Sequence, residues 1–235
     1  MAAHRTLSLT HSQLGNSGLG TPHYLMRSIE GTEGINQLFE YTVIIVTQDE
    51  YGKGILENNI NLATAREGGG NGAQGSNLDL KSLIGTDLAV HILIDQAIAG
   101  ADTDGLHQHY IARLQAGDLS QETRHINGII TRAGYAGTHG RYAQYRLTLQ
   151  PWLHLLTYGQ DSRIYQHQSI PDVVREVLSA YPYPVEWRLT ASYPIQDYIV
   201  QYNETHYQFV ARLLSQAGIN YHFEHQEDRH TLILA

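Results

Sequence analysis

Cysteine is absent from the 235-residue sequence, and positively charged residues are scarce. Without cysteine there are no disulfide bonds, no zinc sites built on thiolates and no cysteine nucleophiles. The 15 Lys and Arg residues stand against 23 Asp and Glu, which gives a formal net charge of -8. That charge has the wrong sign for holding a phosphate backbone, so we expect no nucleic acid partner.

Long apolar runs are also missing. No stretch approaches the roughly 20 consecutive apolar residues that a membrane-spanning helix needs, so we expect no stable membrane anchor. Residues 1–14 alternate polar and apolar side chains and lack the continuous apolar segment of a signal peptide. The sequence therefore predicts a protein that starts in the cytoplasm and does not use classical export. Its hydrophobic content of 42% is enough to bury a core.

Local catalytic motifs are not evident either. Ser17 lies in a Gly-Asn-Ser-Gly sequence, which lacks the second spaced glycine of a nucleophile elbow. Neither a dinucleotide fingerprint nor a phosphate-binding loop occurs, so we expect no cofactor and no enzymatic activity. Carboxylates from distant segments could still meet in space, which leaves a cell-wall hydrolase attached to a larger particle as an alternative; the examples are Asp49, Glu50, Glu224 and Asp228.

Fourteen histidines raise the question of a metal site, with His222, His225 and His230 near the C-terminus and His107 with His109 in mid-chain. On a strand, His107 and His109 would share a face, whereas His222 and His225 would point to opposite faces. No helix carries the paired-histidine spacing of metalloproteases. We therefore predict no metal site, and histidines that are exposed or hydrogen-bonded.

Alternation of polar and apolar residues with period two dominates the chain and predicts strands. The pattern occurs at residues 39–46, 88–94, 126–131, 145–150, 185–189, 198–202, 219–225 and 230–234. Closely spaced strands of this kind favour antiparallel barrels or sandwiches over strand-helix-strand winding. The predicted fold class is mainly β with minor α, built from antiparallel barrel-type subdomains with two or three helices.

A first helix is predicted over residues 171–179. Ser169 and Asp172 resemble a capping box, and apolar residues follow at helical spacing. The helix should end before Pro182. A shorter helical turn is predicted from Pro151 onward.

A second helix is predicted over residues 206–217. Thr205 and Gln208 form its capping box, and Gly218 supplies a left-handed C-terminal cap. Because Thr205 has this role, the Asn-Glu-Thr triplet at 203–205 is interpreted as a helix cap rather than as a glycosylation acceptor.

Two polar segments interrupt the regular pattern. Residues 66–77 contain five glycines together with Asn, Gln and Ser, a composition that predicts a flexible surface loop. Residues 100–105 separate two strand-like runs and predict a hairpin insertion.

Tyrosine is unusually frequent, with 16 Tyr against three Phe. A tyrosine side chain combines a large apolar ring with one polar end, which suits partly wet barrel walls and subunit contacts. Core filling alone would have favoured Phe. If the 235-residue chain holds a trimer by itself, Tyr198 and Tyr202 are the first candidates for the interface.

Residues 127–235 carry a nearly continuous series of motifs. They are NGIITR at 127–132, QPWL at 150–153, DSRIYQ at 161–166, IPD at 170–172, QYNET at 201–205 and YHFEH at 221–225. In this order they resemble the N-terminal, phage-tail-hub-like region of VgrG-type type VI secretion spike proteins. The N-terminal half agrees more loosely, through Phe39-Glu40-Tyr41 and Leu83-Ile84-Gly85, with a long insertion at 95–124.

The resemblance implies a structural hub that adapts the inner tube of the secretion tail to a trimeric puncturing spike. It implies two hub subdomains, residues 1–125 and residues 126–235, with the second incomplete at its C-terminus. It also implies a homotrimer in the full-length protein, contact with the inner tube protein, and export by the type VI machine without a signal peptide. A tail hub of a phage or phage-like contractile particle is the alternative.

Proteins of this family continue into a trimeric β-helix, and some carry an effector at the C-terminus. The resemblance therefore implies that the sequence is a piece of a longer protein or a shortened one, and that effectors act through regions not contained in it. Since the β-helix supplies much of the contact that holds the three chains of the trimer together, we expect the 235-residue chain to associate weakly.

Overall fold

The computed structural model describes residues 7–11, 15–16, 24–47, 78–94, 122–139 and 142–235. These residues form a large curled sheet and a smaller unit of strands and helices packed against it. The strands of the large sheet are β1 (Leu7–His11), β2 (Gly15–Asn16), β3 (Tyr24–Thr32), β4 (Glu40–Thr47), β5 (Asp87–Ile94), β6 (Glu122–His139) and β7 (Tyr142–Gln150).

All pairs in the large sheet are antiparallel, in the order β2-β1-β5-β6-β7-β4-β3. Strand β1 also lies close to β3, so the two ends of the order approach each other and the sheet curls. A short helix, α1 (Leu80–Leu83), precedes β5 and is capped by the Asp79 side chain. The mainly β, antiparallel barrel-type fold predicted from the alternation is confirmed.

Side chains from alternate positions of the large sheet fill its core. Val43 and Ile45 of β4 are fully buried, and Val43 lies opposite the equally buried Leu147 of β7. Val90 of β5 and Ile130 of β6 extend the same cluster. Because the side-chain period of a strand is two, the neighbouring positions face outward.

The smaller unit begins with a 3₁₀ helix at the position where a helical turn was predicted. Its elements are the 3₁₀ helix (Trp152–Thr157), β8 (Gln160–Ser169), α2 (Ile170–Leu178), β9 (Val185–Trp187), β10 (Ile195–Thr205), α3 (His206–Ala217), β11 (Tyr221–His225) and β12 (His230–Leu234). Strands β8 and β10 form a two-stranded ribbon, and β11, β12 and β9 form a three-stranded sheet. A second core, centred on Trp152, Val173 and Phe209, lies between these elements.

Both predicted long helices are confirmed, together with their caps. The Ser169 hydroxyl accepts the backbone N–H of Asp172 at the start of α2. The Thr205 hydroxyl accepts the backbone N–H of Gln208, whose side chain accepts the Thr205 N–H at 2.9 Å in return. Gly218 ends α3 with a φ of 70°, the left-handed cap that glycine adopts without strain.

One pairing departs from the antiparallel expectation. Strand β12 runs parallel to β9, with Leu232 opposite Val185. A parallel pair needs a long connection between its strands, and here β10, α3 and β11 provide it.

Two sequence-based boundaries need comment. The predicted division between residues 125 and 126 falls inside β6, which continues without a break within the large sheet. The division itself stays a prediction. The predicted loop at 66–77 and the hairpin insertion at 100–105 lie outside the described residues, as does the insertion at 95–124 up to residue 121.

The large sheet and the smaller unit meet at a seam formed by residues 33–39 and β6 on one side and β11 and β12 on the other. Asn36 donates its backbone N–H to the Tyr221 carbonyl at 2.8 Å, and its side-chain oxygen accepts the Tyr221 N–H at 2.9 Å. The Phe39 ring packs edge-on against Phe223, with ring centroids 5.2 Å apart. These contacts attach the C-terminal hairpin to the large sheet.

Candidate functional site

The two-stranded ribbon of β8 and β10 has one buried face and one exposed face. On the buried face, Tyr165 and Ile199 lie opposite each other, and the Tyr165 ring stacks on Phe209 of α3 with centroids 5.6 Å apart. Side chains that alternate with these point away from the protein. The ribbon therefore packs one face on the helices and exposes the other face to solvent.

The outer face of the ribbon carries a cluster of exposed apolar side chains. They are Ile164 on β8 and Tyr198, Val200 and Tyr202 on β10, and the exposed Gln166 lies opposite Tyr198. Tyr198 is 67% exposed and Tyr202 is 78% exposed, and Val200 lies directly opposite Ile164. Clustered apolar side chains at such exposure are typical of interaction surfaces rather than of a protein facing water alone.

Arginine side chains hold the ribbon on the helices beneath it. Arg212 of α3 donates to the Val200 carbonyl at 2.9 Å and to the Glu204 carboxylate at 2.6 Å. Arg163 of β8 pairs with Glu176 of α2. The ribbon is thus fixed from both helices, and its outer face is a pre-organised surface.

The ribbon also has open edges. Within the part of the chain that the structure describes, β8 and β10 pair only with each other, so each offers one edge of backbone groups to another strand. Two non-glycine residues with left-handed backbone shape these strands, His167 with a φ of 52° and Asn203 with a φ of 50°. Asn203 lies in the bulge of β10 between Gln201 and Glu204, where the strand changes register.

The C-terminal histidines are hydrogen-bonded within the seam. His225 Nδ1 accepts the backbone N–H of Asn127 at 3.0 Å, and His230 Nε2 accepts the backbone N–H of Trp152 at 3.0 Å. Burial lowers the pKa of both side chains, and that of His230 falls to about 3. Their roles are therefore those of neutral acceptors that connect the large sheet, the 3₁₀ helix and the C-terminal hairpin.

No group of three or more His, Asp and Glu side chains within the described ranges is arranged to hold a metal ion. His222 is half-exposed and lies 3.6 Å from Glu224. His107 and His109 lie outside the described residues, so the structure does not place them.

Of the acidic residues considered for hydrolysis, Glu224 and Asp228 lie within the described ranges, and each lies beside an arginine. Glu224 is paired with Arg188 at 2.6 Å, and that guanidinium lowers the pKa of the carboxyl group. Asp228 is exposed beside Arg229. A carboxylate that holds its charge this firmly is unsuited to act as a general acid. Asp49, Glu50 and Ser17 fall outside the described residues.

Sequence reasoning singled out Tyr198 and Tyr202 but missed Ile164 and Val200 as members of the same face. The alternation at 198–202 could have placed Val200 with the two tyrosines. Ile164 could not have been found in this way, because its position opposite Val200 depends on the pairing of two strands about 30 residues apart in the chain.

Comparison with known proteins gives related sequences and folds. A family model described as phage tail baseplate hub (GPD) matches residues 32–235. The type VI secretion system spike protein VgrG1b of Pseudomonas aeruginosa is 42% identical over 113 residues, which cover 48% of this chain and 15% of that protein. The chain therefore spans a small part of the curated relatives it matches.

Solved structures share the fold. The E. coli c3393 protein, described as a component of the type VI secretion system, aligns with a TM-score of 0.61 at 21% identity, covering 98% of this chain and 48% of that one. The 43 kDa tail protein of prophage MuSo2 from Shewanella oneidensis aligns with a TM-score of 0.54 at 10% identity, covering 98% of this chain and 53% of that one. The family model covers far more than half of the sequence, and the chain belongs to the phage tail baseplate hub family.

Proposed function

We propose that this chain is the structural hub of a type VI secretion spike, where it adapts the inner tube to the trimeric puncturing spike. The observation that carries the proposal is the 42% identity with the Pseudomonas spike protein. The prophage tail protein shares only the fold, at 10% identity, so a phage or phage-like particle is the less favoured alternative.

The outer face of the ribbon is proposed as part of the contact between copies of this chain in a homotrimer. Support comes from its exposed Tyr198, Val200 and Tyr202, which form an apolar strip beside open strand edges. Aromatic residues are enriched where protein surfaces associate, because they bury a large area at a small cost in side-chain entropy. Contact with the inner tube protein is a further part of the proposal.

The chain is proposed to act mechanically rather than as an enzyme. Support comes from the carboxylate of Glu224, which is paired with arginine, and from the seam histidines, each of which uses one ring nitrogen to accept a backbone hydrogen bond. A general base needs a free nitrogen or oxygen near a nucleophile. This arrangement makes the cell-wall hydrolase the least favoured alternative.

Export by the type VI machine, after assembly in the cytoplasm, completes the proposal. The spike homologues support this route. In the ranges that the structure describes, no helix is long and apolar enough to cross a membrane.

The proposed function is tested by export of the inner tube protein. In a strain whose other spike genes are removed, deletion of the full-length gene should abolish the appearance of the inner tube protein in the medium, and the gene should restore it. A tube protein exported equally well without the gene would contradict the proposal.

Variants of the full-length gene then test the ribbon. The double change Tyr198→Ser with Tyr202→Ser should fail to restore export, whereas Tyr158→Ser should restore it. Tyr158 is the matched control, because it is 70% exposed but lies after the 3₁₀ helix and outside the ribbon. If both variants restore export of the inner tube protein equally well, the ribbon is not part of the interface.

A further inference from the structure

Two histidines face each other across neighbouring strands of the large sheet. His91 on β5 and His125 on β6 are direct register partners, and their Nδ1 atoms are 2.9 Å apart. Both rings are half-buried, and their centroids are 5.1 Å apart. Neither histidine belongs to the proposed interface on the ribbon or to the seam.

The second ring nitrogen of His91 has a polar partner on the neighbouring strand. Thr10 of β1 places its hydroxyl oxygen 3.2 Å from His91 Nε2. When the Nε2–H donates to this hydroxyl, the Nδ1 atom of His91 carries a lone pair directed at His125. An oxygen acceptor on the far ring nitrogen is the usual support of a histidine that binds a metal ion.

The surroundings of the pair favour a cation. His91 lines a cleft of about 960 Å³ that also receives the carboxylates of Asp87, Glu227 and Asp228. Burial and the nearby His125 lower the pKa of His91, while the charge of Glu227 acts in the opposite direction. The one arginine that lines the cleft, Arg229, donates to Gln226 at 3.0 Å and lies 4.0 Å from Asp228, so the charges of Asp87 and Glu227 remain. A pair of imidazole nitrogens beside negative charge suits a divalent metal ion.

We propose that His91 and His125 bind one divalent transition metal ion, such as Zn²⁺, through their Nδ1 atoms, with water completing the coordination. Imidazole nitrogens are preferred ligands of Zn²⁺, at about 2.0–2.1 Å. Two such bonds in tetrahedral geometry place the nitrogens about 3.3 Å apart, so the nitrogens need to separate by a few tenths of an ångström and the rings need to rotate until both lone pairs point at the ion. The bound ion would clamp β5 to β6 beside the cleft.

The test is titration of tag-free protein with ZnCl₂, followed by calorimetry and by thermal unfolding. We expect saturable binding at this site and a rise in Tm with Zn²⁺ concentration, because an ion that binds only the folded state stabilises it. Mg²⁺ should give neither effect, since it prefers oxygen ligands. His91→Ala and His125→Ala should each remove the binding, and Thr10→Val should weaken it by about 10–100-fold.

His222→Ala is the matched control, since this half-exposed histidine also lies near a carboxylate but belongs to β11. It should leave the binding unchanged. Imidazole NMR signals of His91 and His125 in the wild-type protein provide a readout that does not depend on the variants folding. Zn²⁺ binding that shifts neither signal, or that persists when both histidines are replaced, would overturn the proposal and leave the pair as a hydrogen bond.

Discussion

At the seam, two buried histidines accept backbone N–H groups, and this role depends on their being neutral. Burial lowers the pKa of His230 to about 3, and the neighbouring His225 contributes to the shift. In the unfolded chain the same side chain takes up its proton near pH 6.5. Below that pH the unfolded state binds more protons than the folded state, so the stabilising contribution of neutral His230 is lost progressively as the pH falls from about 6.5 toward 3.

We therefore predict that the free energy of unfolding falls by about 1 kcal/mol for each pH unit in this window from His230 alone. Urea unfolding at pH 7, 6, 5 and 4 measures it. His230→Leu should be less stable at pH 7 by about 1–3 kcal/mol, because the Trp152 N–H loses its acceptor, and its pH dependence should be flatter. An equally steep pH dependence in His230→Leu would show that other groups cause it.

Leu213 and Arg212 are adjacent in α3 but differ in surroundings. Leu213 is 1% exposed within the second core, so Leu213→Ala should lower the free energy of unfolding by about 2–5 kcal/mol. Arg212 lies outside the apolar stripe and bonds to the Val200 carbonyl and to Glu204. Arg212→Ala should therefore lower the free energy of unfolding by at most about 1 kcal/mol.

Denaturant unfolding of the two variants measures the difference, with Gln216→Ala, an exposed position of the same helix, as the control. Losses of the same size at Leu213 and Arg212 would mean that the buried face of α3 is assigned wrongly.

At the scale of elements, the helices could be predicted because their information is local. Ser169 with Asp172 and Thr205 with Gln208 cap their helices within three residues, so sequence alone is sufficient. The parallel pairing of β12 with β9 could not be predicted, because it joins segments that lie more than 40 residues apart. For the same reason, the sequence could not predict that Ile164 lies opposite Val200 or that His91 faces His125.

The end of α3 gives a prediction about backbone geometry. Gly218 has a φ of 70°, and a Cβ atom there would meet nothing within 4 Å, so the cost of Gly218→Ala is conformational only. We expect a loss of about 1–2 kcal/mol in the free energy of unfolding. Gly134→Ala on β6 is the control, because that site is equally open and has no positive φ; it should be close to neutral. Chemical denaturation measures the free energy of unfolding of both variants. If Gly218→Ala is as stable as the unaltered chain, a residue other than glycine is not strained at this left-handed cap.

At the scale of the whole molecule, the buried side chains form two cores, one in the large sheet and one in the smaller unit. Strands β6 and β7 complete the large sheet, and the second core is formed by residues from Trp152 onward together with Ile129 of β6. We therefore propose that the two units are separated after Gln150. The sequence predicts that a strand ends here and that a helical turn follows from Pro151 onward, but only the pairing of β7 with β4 assigns that strand to the first unit.

The exposed face of the ribbon predicts how copies of the whole molecule associate. The outer face of the ribbon is apolar, lies on a rigid base and borders two open strand edges, so a second copy could add both side-chain contacts and backbone hydrogen bonds. A strip of four side chains is nevertheless small beside the roughly 800 Å² per partner of a stable interface. We therefore predict that the 235-residue chain associates weakly, with an average mass in light scattering that rises with concentration. Tyr198→Ser with Tyr202→Ser should hold the mass at that of a monomer, while Tyr158→Ser should behave as the unaltered chain. A trimer that persists on dilution in all three proteins would place the main subunit contact elsewhere within residues 1–235.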